Sequence, residues 1–333
     1  MKDLVIGDIH FGIKTNSPVW LEHQVNFFEK QIFPIIKKNN YDRVVFLGDI
    51  FDIRYSINTQ VGMKVKNLVR YMSKTFNKVE FYFIAGNHDY YCPQIDFEED
   101  NAYNLLFGEE FEFVHKNIHF ITENYIRIGD TLFLPWYWTE NEERWNEVIN
   151  KENSAKLIYC HSDLEHWEQS KIDSKGDITI ISGHIHYPWV DVKNKLYNVG
   201  ACDALTFNDV NSPRYIYTVI DGVITEKFEN VTTPKFRQFY NEEIFTVSET
   251  DFDNSFVRLY INSANVNKAR YIEQIKYLKS SYMNSNIKVN VIDDNIINSA
   301  QGVNLSTNID TYIEENIPEH LLEKYEIIKD KLA

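Results

Sequence analysis

Five apolar runs in this chain stop at the same kind of side chain. "LVIGDIH" ends in Asp8 and His10, "VVFLGDIFD" in Asp49 and Asp52, "FYFIAGNHD" in Asn87 and His88, "LIYCH" in His161, and "ITIISGHIH" in His184 and His186. Short runs rich in Val, Ile, Phe and Tyr read as strands. The first three are separated by helix-like stretches, Val19 to Lys38 and Thr59 to Phe76. Strands alternating with amphipathic helices predict an α/β layer with parallel strands. In such sheets ligands bind in the crevice beyond the carboxyl ends of the strands, so the five endings are expected to converge. Taken singly, Asp8 or Asp49 also suits a helix cap, Asn87 a turn, and His161 a place in the core.

Later runs, "TLFLPWYW", "AKLIYCH", "ITIISGH", "KLYNVG", "YIYTVIDG" and "VITEKF", sit closer together. This half is expected to be richer in antiparallel strands, the last two joined by an Asp221-Gly222 turn. The pattern pauses near Pro234. After it "SFVRLYI", a helical "NKARYIEQIKYLKSSY" and "IKVNVI" predict a small β-α-β domain. Its charged, tyrosine-rich helix suits either solvent or nucleic acid. "DDNIINSAQGVNLSTN" reads as a linker, and the final stretch has apolar positions at helical spacing. The expected division is residues 1–235, 236–295 and 296–333.

The 333 residues are 44% hydrophobic and 15% aromatic, enough to fill a core. No apolar run nears the roughly 20 residues that span a bilayer, and "MKDLVIGDIH" lacks the apolar segment of a signal peptide. A cytoplasmic protein without membrane contact is expected. Cys92, Cys160 and Cys202 are too few and scattered for a disulfide framework. A net charge of −15 opposes any general grip on nucleic acid, so a polyanionic substrate would need a local source of positive charge.

The residue types supply one. Asp8 and His10, like His184 and His186, are spaced i, i+2 and so face one side of an extended backbone. Asp8, His10, Asp49, Asn87, His161, His184 and His186 exceed what one tetrahedral ion accepts but suit two ions bridged by a carboxylate, with Asp49 the natural bridge. Imidazole, carboxylate and amide donors without thiolate favour manganese or iron over structural zinc. Two divalent ions are expected, Mn2+ first, with Fe2+ and Mg2+ as alternatives. Bound ions of this charge outweigh two carboxylates and keep the site cationic.

The order D-x-H, G-D-x-x-D, G-N-H-D, lone histidine, G-H-x-H resembles the calcineurin-like metallophosphoesterases. Within them "GDIHFG", "GDIFDIR", "GNHD" and "FLPWYWTENE" resemble the SbcD-type nucleases of double-strand-break repair and their T-even phage counterparts, over Met1 to about Lys235. The resemblance implies an α/β fold of two packed sheets flanked by helices, with a small α/β cap that contacts DNA. It implies a 3′ to 5′ exonuclease and single-strand endonuclease acting in repair or recombination. It gives Asp8, His10, Asp49 and His186 to one ion, and Asp49, Asn87, His161 and His184 to the other. His88 takes the catalytic place beside the leaving oxygen, and Asp52 would orient it; some of these nucleases carry histidine there. Arg54 suits either a phosphate contact or a structural ion pair. A homodimer and an SbcC-like coiled-coil ATPase, docked on Ile309 to Leu332, complete the implied assembly, in a host cytoplasm if the source is viral. A phosphatase or cyclic-nucleotide phosphodiesterase would use the same ligands on a small substrate. A scaffold retired from catalysis would be expected to have lost some of them.

Overall fold

The computed structural model of the chain describes residues 1–91, 101–136, 142–163, 178–207, 213–252, 255–281 and 286–292. The linker and C-terminal segment of 296–333, and Cys92, lie outside them. The chain divides into two compact units, Met1–Lys235 and Phe236–Ala333.

The first unit is built on two six-stranded sheets. In chain order, β1 (Lys2–Ile6), β2 (Arg43–Phe46), β3 (Glu80–Ile84) and β4 (Ile118–Ile121) lie side by side and parallel. Then β5 (Ile126–Ile128), β6 (Thr131–Leu134), β7 (Leu157–His161), β8 (Thr179–Gly183), β9 (Trp189–Asp191) and β10 (Leu196–Asn198) form the second sheet, in the order β5-β6-β7-β8-β10-β9. The chain returns to the first sheet with β11 (Tyr215–Ile220) and β12 (Val223–Glu229), β11 lying antiparallel to β1. Asp221 and Gly222 both have positive φ, 49° and 81°, as a two-residue type I′ hairpin turn requires.

The second half is richer in antiparallel pairs, as expected, at β5–β6, β9–β10, β11–β12 and β1–β11, but the centre of the second sheet departs from that pattern. β6, β7, β8 and β10 are all parallel, and only the edges β5 and β9 reverse. The reason is burial. These strands are covered on both faces, so they read as continuous apolar runs, the habit of parallel sheets. The helix predicted from Val19 to Lys38 is also divided, into Pro18–Phe27 and Phe33–Asn39, by a π turn at Phe28–Ile32. Pro34 has no N–H to give the carbonyl four residues back, and the wider turn accommodates it.

Alternation along each strand assigns its two faces. Leu4, Ile6, Val44, Phe46, Phe81 and Phe83 pack beneath the helices. Val5, Val45, Tyr82 and Ile84 meet Phe133, Tyr159 and Ile181 of the second sheet. Within this inter-sheet core lies an ion pair: Arg43 donates from Nε and Nη2 to the two oxygens of Asp3 at 2.7 and 2.6 Å. Tyr159 donates its hydroxyl to Asp3 at 2.8 Å and so ties the second sheet to the pair. Both charges are buried.

In the second unit β14 (Ser255–Asn262) and β15 (Asn286–Ile292) run parallel, joined through the helix Ala269–Ser281, and β13 (Lys235–Tyr240) flanks β14. β13 falls where the sequence pattern pauses, because it is a short edge strand with polar residues interleaved.

Removing one partner of a buried pair strands the other charge, which costs about 3–5 kcal/mol. Asp3→Ala is therefore expected to lower the unfolding free energy by that amount in urea titration, whereas Asp130→Ala, at an exposed surface ion pair with Lys156, should change it by about 1 kcal/mol or less.

Candidate metal centre

Three of the five strand ends that carry candidate ligands, those of β1, β2 and β8, deliver one by breaking regular geometry just past the strand, whereas His161 is the last residue of β7 itself. His10, Asp49 and His184 all lie in the left-handed region, with φ of 55°, 47° and 88°. Such strain in non-glycine residues persists only where the surroundings hold it, and it concentrates at functional sites. Gln24 fixes His10 by donating to the carbonyls of Ile9 and His10 at 2.7 and 2.9 Å. Glycines make room. A Cβ on Gly183 would lie 2.4 Å from Asp8 Oδ1, and one on Gly48 (φ 108°) would lie 2.3 Å from His161 Nδ1.

The expected residues come together as overlapping clusters. Asp8, His10 and His186 bring ligand atoms within 4.8 Å of one another, as do Asp49, His161 and His184. Asn87 Oδ1 stands 3.0 Å from both His161 Nε2 and His184 Nδ1. Asp49 connects the groups: its Oδ1 is 3.4 Å from His161 Nε2 and its Oδ2 is 3.7 Å from His10 Nε2.

The hydrogen-bond inventory shows that this donor set fits cations. His161 Nδ1 lies 2.7 Å from the Leu47 carbonyl, which can only accept, so Nδ1 carries a proton. In a neutral ring Nε2 then offers a bare lone pair, yet it faces Asn87 Oδ1 and Asp49 Oδ1, also acceptors. His10 Nε2 and His186 Nε2 stand 3.1 Å apart, a distance at which one ring can donate to the other or both can face one cation. Acceptors aimed at a common point need a positive charge between them, supplied by a proton or a metal ion. Accordingly, although burial opposes it, Asp49 holds His161 up at about 9. Burial resists ionisation of Asp49 too, but His161 and His10 keep its carboxyl well below the usual range. Burial raises Asp8 to about 6, and burial together with His161 pushes His184 down to about 3.

His88 and Asp52 form a third such group with His10, their ligand atoms within 4.8 Å of one another, and both also make hydrogen bonds that tie the loops together. The His88 amide donates to Asp49 Oδ1 at 2.8 Å, and its ring Nδ1–H donates to the backbone carbonyl of Asp52 at 2.7 Å. The Asp52 carboxylate instead lies 3.4 Å from His10 Nδ1. Orientation of His88 thus comes from the Asp52 main chain, and the side chain braces a ligand histidine. Arg54 is half-buried on the turn that follows.

Several supporting residues escaped the sequence reading. Asp89 is buried and accepts from the backbone N–H groups of Ile50, Phe51 and Gly86, and from Tyr103 Oη, stapling the loops of the second and third motifs. Its place in "GNHD" was the one available signal. Asn198 donates to the carbonyls of Ile185 and Tyr187, both at 2.7 Å, and Arg214 donates to that of His186. The Trp136 ring lies 4.6 Å from that of His184. Asp203 accepts from Asn230 at 2.9 Å, and burial pushes its carboxyl up to about 6.

The sequence profile of calcineurin-like phosphoesterases matches residues 1–188. Exonuclease subunit 1 of Enterobacteria phage T4 is 22% identical over 293 residues, spanning 83% of this chain and 81% of that protein. Among solved structures, TT1561 of Thermus thermophilus aligns with 10% identity and a TM-score of 0.43, over 69% of this chain and 98% of that one. Yfce, a phosphoesterase from E. coli, aligns with 12% identity and a TM-score of 0.31, over 68% and 98%. No helix among the described residues is long and apolar enough to cross a membrane.

Asp89→Ala leaves buried N–H groups without acceptors, at about 1–3 kcal/mol each, and loosens both loops. Calorimetric titration with Mn2+ is expected to show affinity reduced by about 10- to 100-fold. For Asp203 the sign follows from its raised value. Between the unfolded value near 4 and the folded value of about 6, the folded state holds more protons, so this group's contribution to stability falls as pH rises through that window. The loss is on the order of 3 kcal/mol. Asp203→Asn should remove that component from unfolding curves measured at pH 4, 5, 6 and 7.

Proposed function

Since the chain belongs to the calcineurin-like phosphoesterase family, whose fold works with divalent metals, we propose that it is a two-metal DNA nuclease cutting phosphodiester bonds. The observation that carries the two-metal reading is the Asp49 carboxylate, one oxygen toward His161 and the other toward His10. Asp8, His10, Asp49 and His186 would hold one ion, and Asp49, Asn87, His161 and His184 the other. Bound there, such ions supply the charge that draws in a phosphodiester and acidifies a water for in-line attack.

The chain's own residues do the rest. Asp49 would join the two halves of the centre, and Asp8 would complete the first. His88, with Nδ1 committed to the Asp52 carbonyl, presents Nε2 as the group that donates a proton or a hydrogen bond to the leaving oxygen. Asp52 steadies His10, and Arg54, on the turn two residues after Asp52, would contact a phosphate of the substrate. The similarity to an exonuclease subunit over most of both chains supports DNA over a small phosphoester, and 3′ to 5′ shortening with single-strand cutting belongs to the same reading. So do the pairing of two copies, for which the helix Thr59–Thr75 leaves Met63 and Tyr71 exposed, and an SbcC-like ATPase partner bound through 309–332.

An end-labelled DNA duplex incubated with the protein and Mn2+ is expected to shorten stepwise. His88→Ala should slow this by about 100- to 10,000-fold with metal content unchanged. Hydrolysis of bis(p-nitrophenyl) phosphate without any cutting of DNA, even with the ATPase present, would point to a small substrate instead.

A further inference from the structure

A histidine that holds a metal ion ordinarily gives its other ring N–H to a carboxylate or a carbonyl, which fixes the rotation of the ring. His161 follows this rule through Nδ1 and the Leu47 carbonyl at 2.7 Å, and His10 Nδ1 faces the Asp52 carboxylate at 3.4 Å. His184 does not. Its Nδ1 is turned to Asn87 Oδ1 at 3.0 Å, toward the candidate ion, and among the described residues its Nε2 has no hydrogen-bond partner.

What meets the His184 ring instead is an indole. The Trp136 ring lies 4.6 Å from that of His184, at 38°, and 5.8 Å from that of His161, at 67°. The two imidazoles are themselves 5.2 Å apart. One bicyclic side chain therefore rests on both histidines assigned to the same ion. It is firmly seated. The main-chain N–H of Trp136 donates to the Ala85 carbonyl at 2.8 Å, joining the end of β6 to that of β3, and the indole packs against the core beneath the helices.

Rigidity is only part of what this contact supplies. An imidazole gains positive character when its nitrogen binds a cation, and the face of an indole attracts positive charge more than any other protein ring does. The contact is then stronger with the ion present than without it, and only such a difference raises affinity.

We propose that Trp136 is a positioning residue for the ion assigned to Asp49, Asn87, His161 and His184, setting that ion's affinity and leaving its neighbour's unchanged. The proposal rests on the two-metal reading above and adds an asymmetry to it. A carboxylate steadies His10 and an aromatic face steadies His184, so different residues govern the two ions.

Mn2+ titration of the full chain, followed by electron paramagnetic resonance, separates lone ions from an exchange-coupled pair, and calorimetry on the same samples gives each affinity. Trp136→Leu keeps the main-chain link to Ala85. It is expected to weaken one ion by about 10- to 100-fold while the other binds as in the wild type, so that the signal of a lone ion replaces that of the pair. Trp136→Phe retains a smaller aromatic face and should weaken the same ion by only about 2- to 5-fold. As the milder change, it reports even if leucine disturbs folding. Unchanged affinities in the leucine variant, or equal weakening of both ions in the phenylalanine variant, would overturn the role of Trp136 alone. A wild type that takes up a single ion would sink the two-metal reading and this role together.

Discussion

The two oxygens of the Asp49 carboxylate point in two directions, and the fold around them is arranged so that they can. Asp49 sits at positive φ directly after Gly48, itself at positive φ and pressed against the His161 ring. The carboxylate also accepts the His88 amide, so one side chain orders the second, third and fourth motifs together. A buried anion among imidazoles is stable only while positive charge remains beside it. That requirement links metal affinity to the integrity of the whole crevice.

Such a centre works against the fold that holds it. Asp8, Asp49 and Asp89 are all buried on neighbouring loops, and burial resists ionisation at each. Opposing this are hydrogen bonds from the main chain: His184 N–H to Asp8, His88 N–H to Asp49, and three N–H groups to Asp89. At the opposite ends of the strands the Asp3–Arg43–Tyr159 cluster clamps the two sheets. The sheets are thereby fixed at one end while loops from both converge at the other. Preorganisation of that kind keeps ligand atoms aimed at common points instead of relaxing apart.

The convergence of the candidate ligands and the strands that carry them were legible in the sequence, because an apolar run ending in Asp or His is a local pattern. The β-α-β arrangement of the second unit and the Asp221-Gly222 turn were legible for the same reason, being set by period and by backbone preference. Parallel pairing of β6, β7, β8 and β10 was not, since it depends on what covers each face. Neither was the rotation that turns the Asp52 carboxylate to His10 and its carbonyl to His88, nor the service of Asp89, Asn198 and Arg214. Those depend on contacts between residues far apart in the chain: His10 with Asp52, Ile50 with Asp89, and His186 with Arg214. Sequence by itself determined which groups are available and the strand ends that carry them. Only the tertiary structure decided where each polar atom points, because direction is fixed by the buried hydrogen bonds that distant segments must satisfy together.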